Sequence, residues 1–418
     1  MKLCHIVPVL LLSVTLSFSV VADVTDLNRR GVEACKNGDY HKGTALFAEA
    51  FTADPGNKTV AGNLVSATRN LAAQQFKNGK PEEAAGSLRK SLSLIPDNKA
   101  LRGDLISVLY NQGIDALKNR NIPEAEKKSR EALEVDPSSP PAHILAGETD
   151  YAKHRMQQAL GHWKQAFDAD PSNSRLAGKI EKLKQELSAE KQYSKTDVHH
   201  FNIQFDYKTL GNGVYDIRDF LLDAYNRVGQ DFGCFPKYPT VVILYGENEF
   251  RMANNVPEFI AGLYDGKIRV PVNFSRYPLA TLKGILFHEY AHAVVYDLAR
   301  SACPIWLNEG IAMRAMAPYL PVNTDVLKKA IKTNSLMSLD QLAAPGTWRN
   351  PRLVALAYSQ SWIMAEYLFY RWSGNQIKKM LQQFRDGGTF HTQLVRNMNR
   401  TPEQFEEEWL QFAKKRLF

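Results

Sequence analysis

The feature of the sequence that most constrains its fold is an internal repeat in the first half of the chain. Runs with helical apolar periodicity end beside Pro55, Pro96, Pro137 and Pro171, and these prolines are 41, 41 and 34 residues apart. Proline cannot continue a helix, so each run predicts a helix that stops just before it. Recurrence at this spacing predicts stacked helix hairpins in place of a single globular core.

Small residues recur at fixed distances before each proline, where they would let paired helices approach closely. They are Ala50, Ser91, Ala132 and Ala166 at five residues before it, Gly43, Ala84, Ala125 and Ala159 at twelve, and Gly31, Ala72, Gly113 and Gly147 at twenty-four. The pattern resembles the tetratricopeptide repeat, whose hairpins are about 34 residues long. The 41-residue spacings then imply a first helix longer by seven residues, about two turns. The resemblance implies an α-solenoid arm over residues 23–190 that binds a protein partner and carries out no chemistry.

Length and composition indicate more than one folded unit, since the 418 residues are 44% apolar and 23% charged. The formal charge of +8 is spread over both halves without a Lys/Arg stripe, so nucleic-acid binding has no support.

Three cysteines follow residue 22. Cys234 and Cys303 could pair, or these two and Cys35 could all remain free thiols.

Residues 1–22 have the pattern of a secretory signal peptide. Lys2 precedes an apolar run from Val9 to Val21, and Val20-Val21-Ala22 forms a small-residue cleavage site. The run is shorter than the ~20 apolar residues of a spanning helix, and no transmembrane candidate follows it. The sequence therefore predicts an exported protein, located in the periplasm or outside the cell.

Composition changes after a stretch of interleaved Lys and Glu at 179–195, which predicts a solvated capping helix and then a linker at 191–200. Alternation at 201–205 and an apolar run at 240–245 predict strands, and Asp265-Gly266 between two apolar runs predicts a hairpin. Within that hairpin, Ile268–Val272 could be an edge strand that accepts an extended peptide, or plain hairpin structure. A small sheet therefore opens a second domain at 201–418.

A second helix-periodic segment, Leu279–Ala299, contains His288-Glu289-Tyr290-Ala291-His292. Residues four apart share a helix face, so the two imidazoles can point Nε2 at one zinc ion, and Glu289 can reach the attacking water as general base. Zinc held by two histidines needs a third protein ligand, which Glu309 on the next apolar-periodic segment supplies. The pattern predicts a Zn2+ site of His288, His292 and Glu309 and metal-assisted hydrolysis of peptide bonds.

The motif and Glu309, which stands seventeen residues after the second histidine in a Trp-Leu-Asn-Glu-Gly setting, resemble the gluzincin, or peptidase MA-like, family. The resemblance covers nearly all of residues 198–418. It implies an α+β protein in which the α-solenoid is followed by a small sheet and a helical subdomain. It implies a peptidase with zinc on those three residues and Glu289 as base. By position it also implies Tyr358 as donor to the developing oxyanion, with a core aromatic as the alternative.

One departure from the family concerns the segment after the third ligand. Members tend to carry acidic residues four and seven positions after it, where this chain has Met313 and Met316. An acid there can orient a zinc histidine, and loss of such a partner costs about 10- to 100-fold in metal affinity or activity.

The sequence predicts an exported zinc peptidase that acts on a peptide or protein. The alternative is a non-catalytic exported repeat scaffold whose vestigial peptidase domain serves protein assembly.

Overall fold

The computed structural model describes residues 23–236, 238–254, 261–274 and 277–418, except for the side chain of Thr209. The predicted signal peptide, residues 1–22, lies outside them. The helices of the first half are α1 (Val24–Lys36), α2 (Tyr40–Ala53), α3 (Lys58–Lys77), α4 (Pro81–Leu94), α5 (Lys99–Lys118), α6 (Ile122–Val135), α7 (Pro140–Ala152), α8 (Met156–Ala169) and α9 (Ser174–Ala189).

The second half contains one sheet and a larger set of helices. The strands are β1 (Ser194–Val198), β2 (Phe201–Phe205), β3 (Thr240–Tyr245), β4 (Leu263–Tyr264) and β5 (Ile268–Pro271). The helices are α10 (Tyr207–Leu210), α11 (Gly213–Phe232), α12 (Glu247–Asn254), α13 (Leu279–Ala299), α14 (Ile305–Met316), α15 (Asp325–Lys332), α16 (Leu339–Ala343), α17 (Pro345–Arg349), α18 (Val354–Arg371), α19 (Gly374–Phe384), α20 (Phe390–Met398) and α21 (Pro402–Leu417).

The repeat pattern of the sequence corresponds to helix hairpins, as predicted. Each second helix, α2, α4, α6 and α8, ends two residues before one of the four repeat prolines. All twelve small residues of the pattern are buried. A Cβ added to Gly31 would lie 2.6 Å from the Phe47 ring, and one added to Gly147 would lie 2.3 Å from the Trp163 ring. Only the smallest residue permits these helix contacts.

The uneven spacing of the repeats has the predicted cause. The first helices of the two 41-residue repeats, α3 and α5, each have 20 residues. Helix α7, which begins the 34-residue repeat, has 13. The difference is the predicted seven residues, while the second helices α4, α6 and α8 keep a length of 14.

The chain divides into two compact units. One comprises the described residues up to Gln112 together with Arg130–Ala142, and the other comprises Gly113–Ser129 together with His143–Phe418. The last repeat hairpin, α7 and α8, falls almost entirely in the second unit, which also holds α9 and the sheet. This division follows spatial compactness, whereas the boundary predicted at residues 191–200 follows sequence composition and stays a prediction.

The sheet is mixed, with strand order β1-β2-β3-β5-β4. The three inner strands are parallel, and β1 and β4 pair antiparallel at the two edges. Ile203 pairs with Val242, and Val242 pairs with Ile268, so fully buried apolar side chains are in register across the middle of the sheet. The hairpin at Asp265-Gly266 is confirmed, and Gly266 supplies the positive φ of +102° that its turn requires.

The structure decides one open alternative about the sheet and corrects one prediction. Strand β5 lies between β3 and β4, so Ile268–Val272 is not an edge strand. The edge strand on that side of the sheet is β4, which has two residues. Strand β5 is buried on both faces because it lies inside the sheet. Residues 194–198, predicted within a linker, form β1. This strand is mostly exposed and held by main-chain pairing, so its sequence carries no apolar alternation to reveal it.

Helix α13 lies at the centre of the second unit. It packs against α11 and α14, and on its other sides against α19, β4 and β5. Thirteen of its residues are buried, which explains why its sequence is apolar nearly all round. Helix α14 in turn packs against α18. The core therefore fixes three helices, α13, α14 and α18, relative to one another.

A cluster of charged and polar side chains, most of them buried or partly buried and here called the Arg269 cluster, joins the last repeat helices to the sheet. It consists of Tyr151, His154, Glu186, Glu190, Tyr245, Asp265, Lys267 and Arg269. The Arg269 guanidinium is fully buried and donates to Tyr245 Oη at 2.7 Å, Asp265 Oδ1 at 3.2 Å and Glu186 Oε1 at 3.3 Å. Helix α9, predicted to be solvated, therefore buries Glu186 completely.

The rest of the cluster forms a chain of hydrogen bonds. Glu190 Oε2 lies 3.0 Å from His154 Nε2, and Lys267 Nζ lies 3.1 Å from His154 Nδ1. Lys267 also sits 3.6 Å from the centre of the Tyr151 ring. Burial is the largest effect on Lys267 and lowers the pKa of its ammonium to about 7.

Two further expectations concern cysteines and the membrane. Cys35, Cys234 and Cys303 are free thiols, so the pairing of Cys234 with Cys303 is absent from the structure. Across the described ranges, no helix combines the length and the apolar character needed to cross a bilayer.

Candidate metal centre

Two helices carry the residues predicted to bind metal. His288 and His292 lie one turn apart on α13, and their Nε2 atoms are 3.0 Å from each other. Glu309 lies on α14, which begins after Pro304. Its Oε2 is 3.6 Å from each of the two Nε2 atoms. The structure thus brings together all three side chains.

Close helix packing holds Glu309 in place. A Cβ added to its neighbour Gly310 would lie 2.3 Å from the main-chain oxygen of Ser361 on α18. Any larger residue would push α14 away from α18 at the position next to the carboxylate. The glycine in the Trp-Leu-Asn-Glu-Gly sequence therefore has a steric reason.

The two imidazoles have different surroundings. His292 Nδ1 lies 3.0 Å from Asn308 Oδ1. A ring that donates there from Nδ1–H leaves a lone pair on Nε2, the form that binds metal. His288 Nδ1 is buried and has no hydrogen-bond partner among the described residues. Sequence reasoning gave Asn308 no role, although its place directly before Glu309 could have suggested one.

Glu289 is buried beside this group, on the side of α13 that faces Gly262. A Cβ added to Gly262 would lie 2.4 Å from Glu289 Oε1, so the main chain before β4 touches the carboxyl directly. Glu289 Oε2 is buried without a hydrogen-bond partner among the described residues. Burial, the largest effect, and the nearby Glu309 raise the pKa of Glu289 to about 7, against the opposing effect of His292.

Tyr358, the predicted oxyanion donor, lies on α18 and borders the same space. It is half-buried, and its ring meets Trp348 edge-on with centroids 5.1 Å apart. Burial and the two carboxylates Glu309 and Glu289 raise its pKa well above the ordinary value. The hydroxyl therefore keeps its proton at neutral pH and can donate a hydrogen bond.

Two cavities meet at the centre. One has a volume of about 440 Å³ and walls of mixed character, to which Arg300, Ser301 and Asn308 contribute polar groups. The other has a volume of about 530 Å³ and extends between α13 and α14. His288, Glu289 and Tyr358 border both cavities. A ligand that passes from one cavity to the other would run past all the predicted site residues.

The His288, His292 and Glu309 side chains fit a metal ion. Their ligand atoms all lie within 4.8 Å of one another. Tetrahedral zinc with bonds of about 2.1 Å places its ligand atoms roughly 3.4 Å apart, close to the separations of 3.0 and 3.6 Å found here. Burial acts to raise the pKa of Glu309, but His292 and His288 outweigh it and lower the pKa, which favours the ligating carboxylate.

Comparison with known proteins agrees with this geometry. Residues 223–415 match the family model described as the Peptidase MA superfamily. These residues form a Peptidase MA superfamily domain. The match confirms the resemblance drawn from the sequence, and it places both histidines, Glu309 and Tyr358 inside the domain. A search of curated proteins found no significant match.

The match extends from within α11 to within α21. The Peptidase MA domain thus includes β3, β4 and β5, whereas β1, β2 and the helix hairpins precede the matched residues. The second half of the chain is peptidase-like at the level of the superfamily. The role of each site residue stays a prediction, which the geometry makes testable.

Proposed function

We propose that the protein is a zinc-dependent peptidase in which His288, His292 and Glu309 hold the metal and Glu289 is the general base. The observation that carries the proposal is the convergence of those three ligand atoms from two helices, with the buried carboxyl of Glu289 beside them. Three such groups have little packing value, and leaving polar atoms of His288, Glu289 and Glu309 buried without partners costs stability.

The chemistry that bound zinc supplies is Lewis-acid polarisation of the peptide carbonyl and a lowering of the pKa of water to about 7. Glu289 then takes a proton from the attacking water at a carboxylate oxygen and passes it to the nitrogen of the leaving amine. Tyr358 donates its phenolic hydrogen toward the oxygen that gains charge. Asn308 holds the His292 ring in the tautomer that leaves Nε2 free.

Substrate would bind as an extended strand. Within the described residues, β4 pairs only with β5, so its other edge keeps main-chain donors and acceptors available. The chain directly before β4 touches Glu289 at Gly262. A peptide added to this edge would therefore run beside the general base. This assigns to β4 the role that sequence reasoning had considered for Ile268–Val272.

The repeat hairpins and the N-terminal sequence complete the proposal. Export rests on the pattern of residues 1–22. Partner or substrate binding by the arm rests on its hairpin array and on the resemblance to tetratricopeptide repeats.

A second candidate is a non-catalytic scaffold with a vestigial site. It is favoured by the environment of His288, whose Nδ1 has no partner in the described part of the chain. Met313 and Met316, where family members tend to have acids, cannot supply one. Against it, the four groups that the chemistry requires are all retained.

Metal content and cleavage together test the proposal. The mature protein should contain about one zinc per chain and cleave peptides from a library. Glu309→Ala should lower the zinc content, whereas Glu289→Gln should keep zinc and lose about 10²- to 10⁴-fold in kcat. Glu366→Gln, a carboxyl on α18 paired with Arg416, is a matched control that should keep both. Metal-free wild-type protein without cleavage would support the scaffold.

A further inference from the structure

The larger of the two cavities at the metal centre is apolar. Its walls include Ile285 from α13, Met313 and Met316 from α14, and Leu320, Val322 and Val326 beyond it. Among the described residues that line it, His288 and Glu289 are the basic and acidic side chains and stand where it meets the metal centre, and the others are apolar or uncharged polar side chains. Its volume of about 530 Å³ is in the range of small-molecule pockets.

The two methionines form the wall next to the metal centre. Both are partly buried, one turn apart on the helix that carries Glu309. Met316 packs onto α13, because a Cβ added to Gly284 would lie 3.3 Å from its Cγ. Gly284 is one turn before His288, so this contact sets the width of the cavity beside the first histidine. Methionine is flexible and polarisable, and suits a wall that accommodates apolar groups of different shape.

The cavity on the other side of the centre differs in chemistry. Arg300, Ser301 and Asn308 line it, and it is smaller, at about 440 Å³. A peptide held along β4 would pass between these two spaces, because Gly262 borders both. The residues on the two sides of the cleaved bond would then meet unlike surroundings.

We propose that the methionine-walled cavity binds a large apolar side chain of the substrate adjacent to the bond that is cleaved, so that Met313 and Met316 determine specificity. The inference rests on the proposed peptidase function. An unpaired charge in an apolar pocket is costly, so acidic and basic residues are excluded, while leucine, methionine and phenylalanine are favoured.

Cleavage specificity is the first part of the test. Wild-type protein, Met316→Lys, Met313→Lys and the volume-conserving Met316→Leu are each incubated with a peptide library, and cleavage sites are identified by mass spectrometry. Wild type and Met316→Leu should prefer a large apolar residue at one position beside the cleaved bond. The two lysine variants should lose at least ~10-fold in kcat/KM for such peptides and gain relative preference for acidic ones. Ser301→Lys, on the polar side, should keep the apolar preference.

Binding without cleavage is the second part. A leucine-containing library peptide and its aspartate counterpart are titrated calorimetrically into Glu289→Gln, with and without Met316→Lys. Met316→Lys should weaken binding of the leucine peptide at least ~10-fold. Cleavage by the wild type without an apolar preference, or a preference unchanged in both lysine variants, would overturn this inference and leave the peptidase proposal intact. No cleavage and equal binding of both peptides would overturn both.

Discussion

Two groups of buried charges in the same compact unit are built in opposite ways. In the Arg269 cluster, Arg269 and Glu186 are fully buried and each has several partners of the opposite charge or hydrogen-bond type. In the metal centre, His288 Nδ1, Glu289 Oε2 and Glu309 Oε2 are buried without hydrogen-bond partners among the described residues. No side-chain nitrogen or oxygen of the Arg269 cluster is buried without a hydrogen-bond partner.

This difference distinguishes a cluster that stabilises the fold from one that is suited to bind a ligand. A buried charge set that satisfies itself has nothing left to offer a ligand, and it holds elements together. One that leaves atoms unsatisfied costs stability unless something else binds there. Satisfaction of hydrogen bonds distinguishes the two groups better than burial or pKa, since burial shifts the pKa of both Lys267 and Glu289 to about 7.

The largest expected effect concerns the Arg269 cluster. Arg269→Met should lower the free energy of unfolding by about 3–5 kcal/mol, because it removes the buried cation that pairs with the fully buried Glu186 carboxylate. Denaturant unfolding measures it. Arg218→Met removes an exposed ion pair with Asp219 and should change stability by under about 1 kcal/mol. Equal stability of the two variants would mean that the Arg269 cluster is not structural.

The next largest effect concerns the metal centre. Asn308→Ala removes the hydrogen-bond partner of His292 and should lower zinc affinity by about 10- to 100-fold. Competition with a chromophoric chelator measures the affinity. Ser301→Ala, which is exposed in the same polar cavity, should leave it unchanged. If Asn308→Ala binds zinc as tightly as wild type, the orienting role of Asn308 is wrong.

A matched substitution sharpens the comparison further. In metal-free protein, Glu289→Gln should leave the free energy of unfolding unchanged or raise it by on the order of 1 kcal/mol, because burial already disfavours the charged form. Glu186→Gln, at an equally buried carboxyl, should lower it because the buried Arg269 guanidinium loses one of its charged partners. Chemical denaturation of both variants after chelator treatment gives the result. The same sign for both would erase the distinction between the two groups.

The smallest effect is a pH dependence. The pKa of Lys267 is lowered by burial and by Arg269, against Glu186, Glu190 and Asp265, to about 7 in the folded protein, compared with 10.5 ordinarily. Between those values the unfolded chain binds more protons, so this lysine makes stability rise with pH. Wild-type protein should therefore gain more stability from pH 7 to 9 than Lys267→Met. Unfolding curves at pH 7, 8 and 9 measure the difference, and parallel pH profiles would contradict the shifted pKa.

The hairpins and the helix with the histidines could be predicted from the sequence because their information is local. The prolines stop the helices, the small residues sit where helices touch, and the predicted Leu279–Ala299 helix is observed with the same bounds. The start of helix α21 is also defined locally, because the side chains of Thr401 and Gln404 form the reciprocal hydrogen bonds of a capping box.

The errors arise where structure depends on distant partners. Strand β1 has no apolar alternation and exists through pairing with β2. The burial of Glu186 in a Lys- and Glu-rich helix depends on Arg269, 83 positions later in the chain. Asn308 acquires its role only when α14 folds back on α13 and meets His292. Spacing rules within one helix contain no information about such encounters.

The Arg269 cluster has a consequence for how such a chain could be assembled from parts. Its carboxylates Glu186 and Glu190 lie on α9, and Tyr151 and His154 come from the hairpin before it. A gene fragment that began at residue 201 would encode Arg269 and Lys267 without those partners. A chimera that joins this domain to another arm should therefore keep the last hairpin, with the junction placed ahead of α7.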